Sequence, residues 1–71
     1  MKPDIKLKIG MRIKELRDRR KMTQEELAAA AEIDYKYLQK IEGKTPPNLK
    51  VETIAKLARA LNTDPDKLLK F

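Results

Sequence analysis

A chain of 71 residues with neither cysteine nor histidine has no covalent or metal staple available to it. A disulfide needs the first, and a zinc site of the usual kind is built from the two together. Domains of this size bury only about 60% of the surface their unfolded chain exposes, and without a staple they rely on very regular helix packing or on a partner. Those two routes remain, and the length allows one core, not two. The same absences narrow the chemistry. Serine is missing as well, so no Ser/His, Cys/His or histidine-base constellation can be assembled. Two glycines, Gly10 and Gly43, cannot make a glycine-rich phosphate loop. The carboxylates Glu25/Glu26 and Asp64/Asp66 fall at helix starts, where negative charge complements the helix dipole. An enzyme is therefore not expected, nor a metal, a cofactor or a small-molecule ligand. The longest apolar run, residues 27–31, is far short of the roughly 20 residues that cross a bilayer. With no targeting segment visible, a cytoplasmic protein without membrane partners is expected.

Apolar spacing predicts an all-α chain of five helices. Ile9, Ile13 and Leu16 recur at four and three residues, the mark of one helix face over about residues 8–20. Thr23 followed three positions later by Glu26 is a capping box opening a second, short helix with Leu27, Ala28 and Ala31 inward. Asp34 is a natural N-cap for a third helix over about residues 35–42, with Leu38 and Ile41 inward and Gly43 as its stop. The Thr45-Pro46-Pro47-Asn48 stretch is a loop. A fourth helix carries Val51, Ile54, Ala55, Leu57, Ala58 and Leu61, a stripe wide enough to predict the central, most buried element. Asp64-Pro65 starts a last turn bearing Leu68 and Leu69. Upstream, Ile5, Lys6, Leu7, Lys8 and Ile9 alternate with period two like a strand. Residues 1–8 are read as a basic arm whose isoleucines fold back on the bundle, or as an arm or short strand that pairs subunits or grips DNA; residues 9–71 are read as the domain.

Residues 24–43 thus form two short helices around a three-residue turn, with apolar residues at 27, 31, 33, 38 and 41. This resembles the helix-turn-helix of the phage-repressor family of bacterial regulators, whose domain is a compact lambda-repressor-like five-helix bundle. The supporting pieces are Arg12-Ile13-Lys14-Glu15-Leu16-Arg17, Thr23-Gln24-Glu25-Glu26-Leu27-Ala28, Ile41-Glu42 and Leu57-Ala58-Arg59-Ala60-Leu61. The pattern spans about residues 9–70. The resemblance implies a sequence-specific transcriptional regulator that occupies an operator on double-stranded DNA as a homodimer. It also places Gln24 where a phosphate is bound, and Arg17 and Glu42 where a partly buried salt bridge ties the first helix to the third.

Independently of the family, the third helix gathers Tyr35, Lys36, Gln39, Lys40 and Gly43 within an arc of about 140°, away from Leu38 and Ile41. A major groove admits such a helix. Lys36 and Lys40 can donate to guanine or hold phosphates, Gln39 can read adenine or bond the DNA backbone, and Tyr35 offers a hydroxyl to phosphate or a ring edge to a thymine methyl. Tyr37 sits at the border of the arc, suited equally to partial core packing and to a phosphate contact. The motif itself is acidic. Residues 1–21 carry +6, residues 22–43 carry −3 and residues 44–71 carry +3. Attraction to phosphates therefore rests on the flanks, Arg19, Arg20 and Lys21 before the motif and Lys44 and Lys50 after it. Two positions depart from the family pattern: Glu32 stands at the turn position usually held by glycine, and Asp34 where Ser or Thr is favoured. Leu68, Leu69 and Phe71 are candidates for an apolar dimer patch, or simply close the small core. The alternative function is a protein-interaction module of the same fold, an antitoxin-like or coactivator-like adaptor, with the tyrosines and the acidic motif facing a protein.

Overall fold

The computed structural model describes residues 4–70. Its first helix begins earlier than the apolar spacing predicts, because Asp4 caps it. The Asp4 carboxylate accepts from the backbone N–H of Lys6 at 3.0 Å and of Leu7 at 3.3 Å, satisfying two of the donors that a helix start leaves open. Helix α1 then runs Ile5–Arg19 and buries Ile9, Gly10, Ile13 and Arg17. Residues 5–8 are therefore helix, neither arm nor strand. Ile5, Ile9 and Ile13 also recur every four residues, and once Asp4 caps the chain that period prevails over the alternation. Residues 1–3 of the expected arm lie outside the described residues.

The remaining elements are α2 (Gln24–Ala31), α3 (Tyr35–Ile41), α4 (Val51–Ala60) and α5 (Pro65–Leu68). No strand occurs among the described residues. The capping box forms in both directions: Thr23 Oγ1 accepts from Glu26 N–H at 3.0 Å, and Glu26 Oε1 from Thr23 N–H at 2.8 Å. Asp34 and Asp64 occupy the N-cap positions of α3 and α5, but neither side chain makes a capping hydrogen bond.

Helices α1, α2 and α4 close with one device. Behind each, two reverse backbone bonds return to the last turn: Lys21 to Asp18 and Met22 to Arg17, Glu32 to Ala29 and Ile33 to Ala28, Asn62 to Arg59 and Thr63 to Ala58, all between 2.9 and 3.2 Å. This closure puts one residue of each corner in the left-handed region. Those residues are Lys21, Glu32 and Asn62, with φ of 55°, 57° and 55°. Behind α3 no such residue occurs: Gly43 has no positive φ, and α3 ends through Glu42 in an ordinary helical conformation.

Ile9, Ile13, Leu27, Ala28, Ala31, Leu38, Ile41, Leu57, Ala58, Leu61 and Leu68 form one buried cluster. Helices α2 and α4 share its centre, α4 packing against both α2 and α5. Helix α2 packs against both α3 and α4, and its small Ala28 and Ala31 let neighbouring backbones approach. Of the predicted stripe, Leu57, Ala58 and Leu61 are buried and Ile54 packs against the core, while Val51, at the start of α4, remains 83% exposed. The stripe overstates burial only at its first residue, since Val51 lies on the exposed start of the helix. Leu68 is fully buried beneath α5, so it closes the core and is no part of a dimer patch; Leu69 is about half exposed, and Phe71 lies outside the described residues.

Candidate nucleic-acid interface

Helix α3 has seven residues, too few to hold its shape unaided. Its orientation is set from behind by packing and by charge. Leu38 and Ile41 are buried in the core, and α1 presses on its C-terminal end at Gly10. A Cβ on Gly10 would lie 2.2 Å from the Ile41 carbonyl oxygen, so only glycine permits the two backbones to meet there. Sequence reasoning passed over this residue; a lone glycine inside an apolar helical period was the available signal. It also missed Arg12, whose Nε donates to the Lys67 carbonyl at 2.9 Å and ties α1 to α5, and which pairs with Glu15.

The structure brings Arg17 and Glu42 together. Arg17 Nε donates to Glu42 Oε2 and a terminal nitrogen to Oε1, both at 3.0 Å, and another terminal nitrogen donates to the Met22 carbonyl at 2.8 Å. The Glu42 side chain is only 3% exposed and that of Arg17 11%. The hydrogen bond to Glu42 raises the Arg17 pKa, opposed by burial and assisted by the charges of Glu42 and Asp18. Gln24, at the start of α2, donates through Nε2 to Glu42 Oε1 at 3.1 Å. One carboxylate thus joins α1, the start of α2 and the end of α3. No buried side-chain nitrogen or oxygen among the described residues lacks a partner.

Held this way, α3 presents Tyr35, Lys36, Gln39 and Lys40 to solvent on one face, with Gly43 beyond them. Gln39 Nε2 donates to the Tyr35 hydroxyl at 3.0 Å. Tyr37 is half-buried and packs against the core cluster. Arg19, Arg20 and Lys21 are exposed at the corner before α2, Arg19 lying 3.6 Å from Glu15; Lys44 and Lys50 are exposed in the loop after α3. The acidity of the motif is partly internal, since Glu42 is committed to Arg17 and Glu26 to the capping box. Glu25, Glu32 and Asp34 are the motif carboxylates left on the surface without a side-chain role in a cap or ion pair. Among the described residues no three His, Cys, Asp or Glu side chains cluster to hold a metal, and no helix is long and apolar enough to cross a membrane.

A family model described as helix-turn-helix matches residues 13–68. The fold is similar to that of the restriction-modification controller protein C.AhdI from Aeromonas hydrophila, with a TM-score of 0.84 and 35% identity, over 89% of this chain and 94% of that one. A hypothetical transcription factor, NHTF, from Neisseria superposes with a TM-score of 0.88 at 27% identity, over 94% of this chain and 76% of its own. The restriction-modification controller protein C.Esp1396I does so with a TM-score of 0.83 at 25% identity, over 94% of this chain and 87% of that one; a variant of C.Esp1396I is seen bound to an operator site. No curated protein matches the chain significantly in sequence.

Proposed function

The chain belongs to the helix-turn-helix family, and on that premise we propose that it is a sequence-specific DNA-binding transcriptional regulator of the bacterial cytoplasm, not an enzyme, which acts by occupying an operator. The observation that carries this reading is the α3 face: four exposed side chains able to hydrogen-bond base edges, on a helix fixed from behind by Leu38, Ile41, Gly10 and the Arg17–Glu42 pair. Rigid support of this kind is what base reading needs, because a bidentate contact tolerates little displacement.

In this mechanism Tyr35, Lys36, Gln39 and Lys40 meet base edges in the major groove. Arg19, Arg20 and Lys21 on one side and Lys44 and Lys50 on the other meet the phosphates. Gln24 keeps one N–H for a phosphate beside the α2 start while the other is held by Glu42. Tyr37 contributes core packing with its ring and a phosphate contact with its hydroxyl. One short helix reads only a few base pairs, so a homodimer on a palindrome with half-sites about 34 Å apart supplies the rest of the specificity.

The charge of −3 over residues 22–43 favours a second reading, a protein-binding adaptor of the same fold. Selection from a random duplex pool at two salt concentrations separates the two, using wild type and the Lys36→Ala/Lys40→Ala variant. A regulator enriches a palindrome that the variant fails to select, with affinity falling steeply as salt rises. Salt-sensitive binding with no enriched sequence would reject the regulator in favour of the adaptor, whose tyrosine-centred interface responds weakly to salt.

A further inference from the structure

The Tyr35–Gln39 pair makes a side-chain hydrogen bond between exposed residues of the α3 face, and it restricts what that face can read. A glutamine amide carries two N–H donors and one carbonyl acceptor. One donor is committed to the Tyr35 hydroxyl, leaving one N–H and the carbonyl free. In the major groove adenine offers N7 as acceptor and its N6 amino group as donor, which match the two remaining groups one for one. Guanine offers two acceptors, N7 and O6, and the committed donor is no longer available to the second of them. Because the Tyr35 hydroxyl accepts from Gln39, its own hydrogen is free to donate to a phosphate.

Resting on the regulatory reading above, we propose that Tyr35 is a positioning residue that fixes the Gln39 amide, so that each half-site carries an adenine, discriminated against guanine, at the base pair facing Gln39. The two residues are one turn apart on a single helix face, so the pair is set before DNA arrives and less side-chain freedom is lost on binding. Lys36 and Lys40, whose ammonium groups carry donors only, have no such restriction and read acceptors.

The test uses the operator enriched by the wild-type chain and its four variants at each half-site base pair, with affinities measured for wild type, Tyr35→Phe, Gln39→Ala and the double variant. Tyr35→Phe keeps the ring, removes the hydroxyl at an exposed site and should melt with the wild type. Wild type should prefer adenine over guanine by about tenfold at one base pair. Tyr35→Phe should lose most of that preference at that position alone, with the salt dependence unchanged. Made in the Gln39→Ala background, the same Tyr35→Phe substitution should have no effect on base preference. Full adenine preference in Tyr35→Phe would overturn the proposal and leave the regulatory reading intact. So would a loss of preference at a different base pair, or a Tyr35→Phe effect that persists without Gln39, since the Tyr35 hydroxyl would then be reading a base directly and not positioning Gln39. If the wild type enriches no operator, the regulatory reading and this inference fall together.

Discussion

Removing Arg17 alone should be worse than replacing Arg17 and Glu42 together. The pair holds two 3.0 Å bonds between guanidinium and carboxylate, and Arg17 makes a third bond, to the Met22 carbonyl. With Arg17→Met the Glu42 carboxylate, 3% exposed, keeps only the Gln24 amide. Leaving such a charge unpaired costs about 3–5 kcal/mol, whereas exchanging both members of a buried pair for apolar residues of similar volume is often neutral or stabilising. A chain of this length has a total stability of about 4–11 kcal/mol, so the single substitution removes a large part of it. At about 4–8 °C per kcal/mol for a domain of this size, Arg17→Met should lower Tm by at least about 12 °C. Arg17→Met/Glu42→Leu should recover at least half of that loss. Thermal and urea melts at neutral pH measure both. A double variant that melts at or below the single one would refute the reasoning, because the unpaired carboxylate would not be the source of the loss.

Gly10→Ala should destabilise by about 1–3 kcal/mol although alanine is the better helix former, because the new Cβ meets the Ile41 carbonyl and the backbones must separate; an unchanged or raised Tm would show that α1 and α3 can part freely. Glu32→Gly should raise Tm by a few degrees, since the left-handed conformation costs a non-glycine residue about 1–2 kcal/mol and glycine returns only part of that as entropy; Glu32→Ala, which retains a Cβ, should give no gain. The Arg17 pKa is raised in the folded chain, first by the hydrogen bond to Glu42. Its contribution is therefore fully present below the unfolded guanidinium value and is lost only as pH rises through the higher folded one. The Tm difference between wild type and Arg17→Met should accordingly be the same at about pH 8 and about pH 10, and a difference that shrinks at the higher pH would contradict this.

The helices between residues 23 and 68 were legible because their signals are local: a reciprocal cap at Thr23 and Glu26, buried positions three and four apart, a proline opening α5. The α3 face was legible for the same reason, since a helical wheel separates Tyr35, Lys36, Gln39 and Lys40 from Leu38 and Ile41. What escaped depends on where elements meet. A lone glycine in a helical period marks residue 10 as a place of close approach, but nothing local names the Ile41 carbonyl as what it meets. The breadth of the α4 stripe could not reveal that Val51 stays exposed, nor could the terminal leucines reveal that Leu68 is interior and Leu69 is not. At the N-terminus two periods competed over the same isoleucines, and the Asp4 cap decided between them. The direction of the Gln24 side chain, towards Glu42, likewise needs the tertiary contact between α2 and α3.

If α3 reads bases while the flanking lysines hold phosphates, the affinity ratio between the selected operator and a scrambled duplex at fixed salt must depend on α3 alone. For Lys36→Ala/Lys40→Ala this ratio should collapse towards one. For Lys44→Ala/Lys50→Ala it should be unchanged, with weaker binding to both duplexes and a salt slope shallower by about one for each phosphate no longer neutralised. A ratio that survives the α3 substitutions, with both duplexes weakened alike, would contradict base reading and make α3 one more phosphate-holding surface.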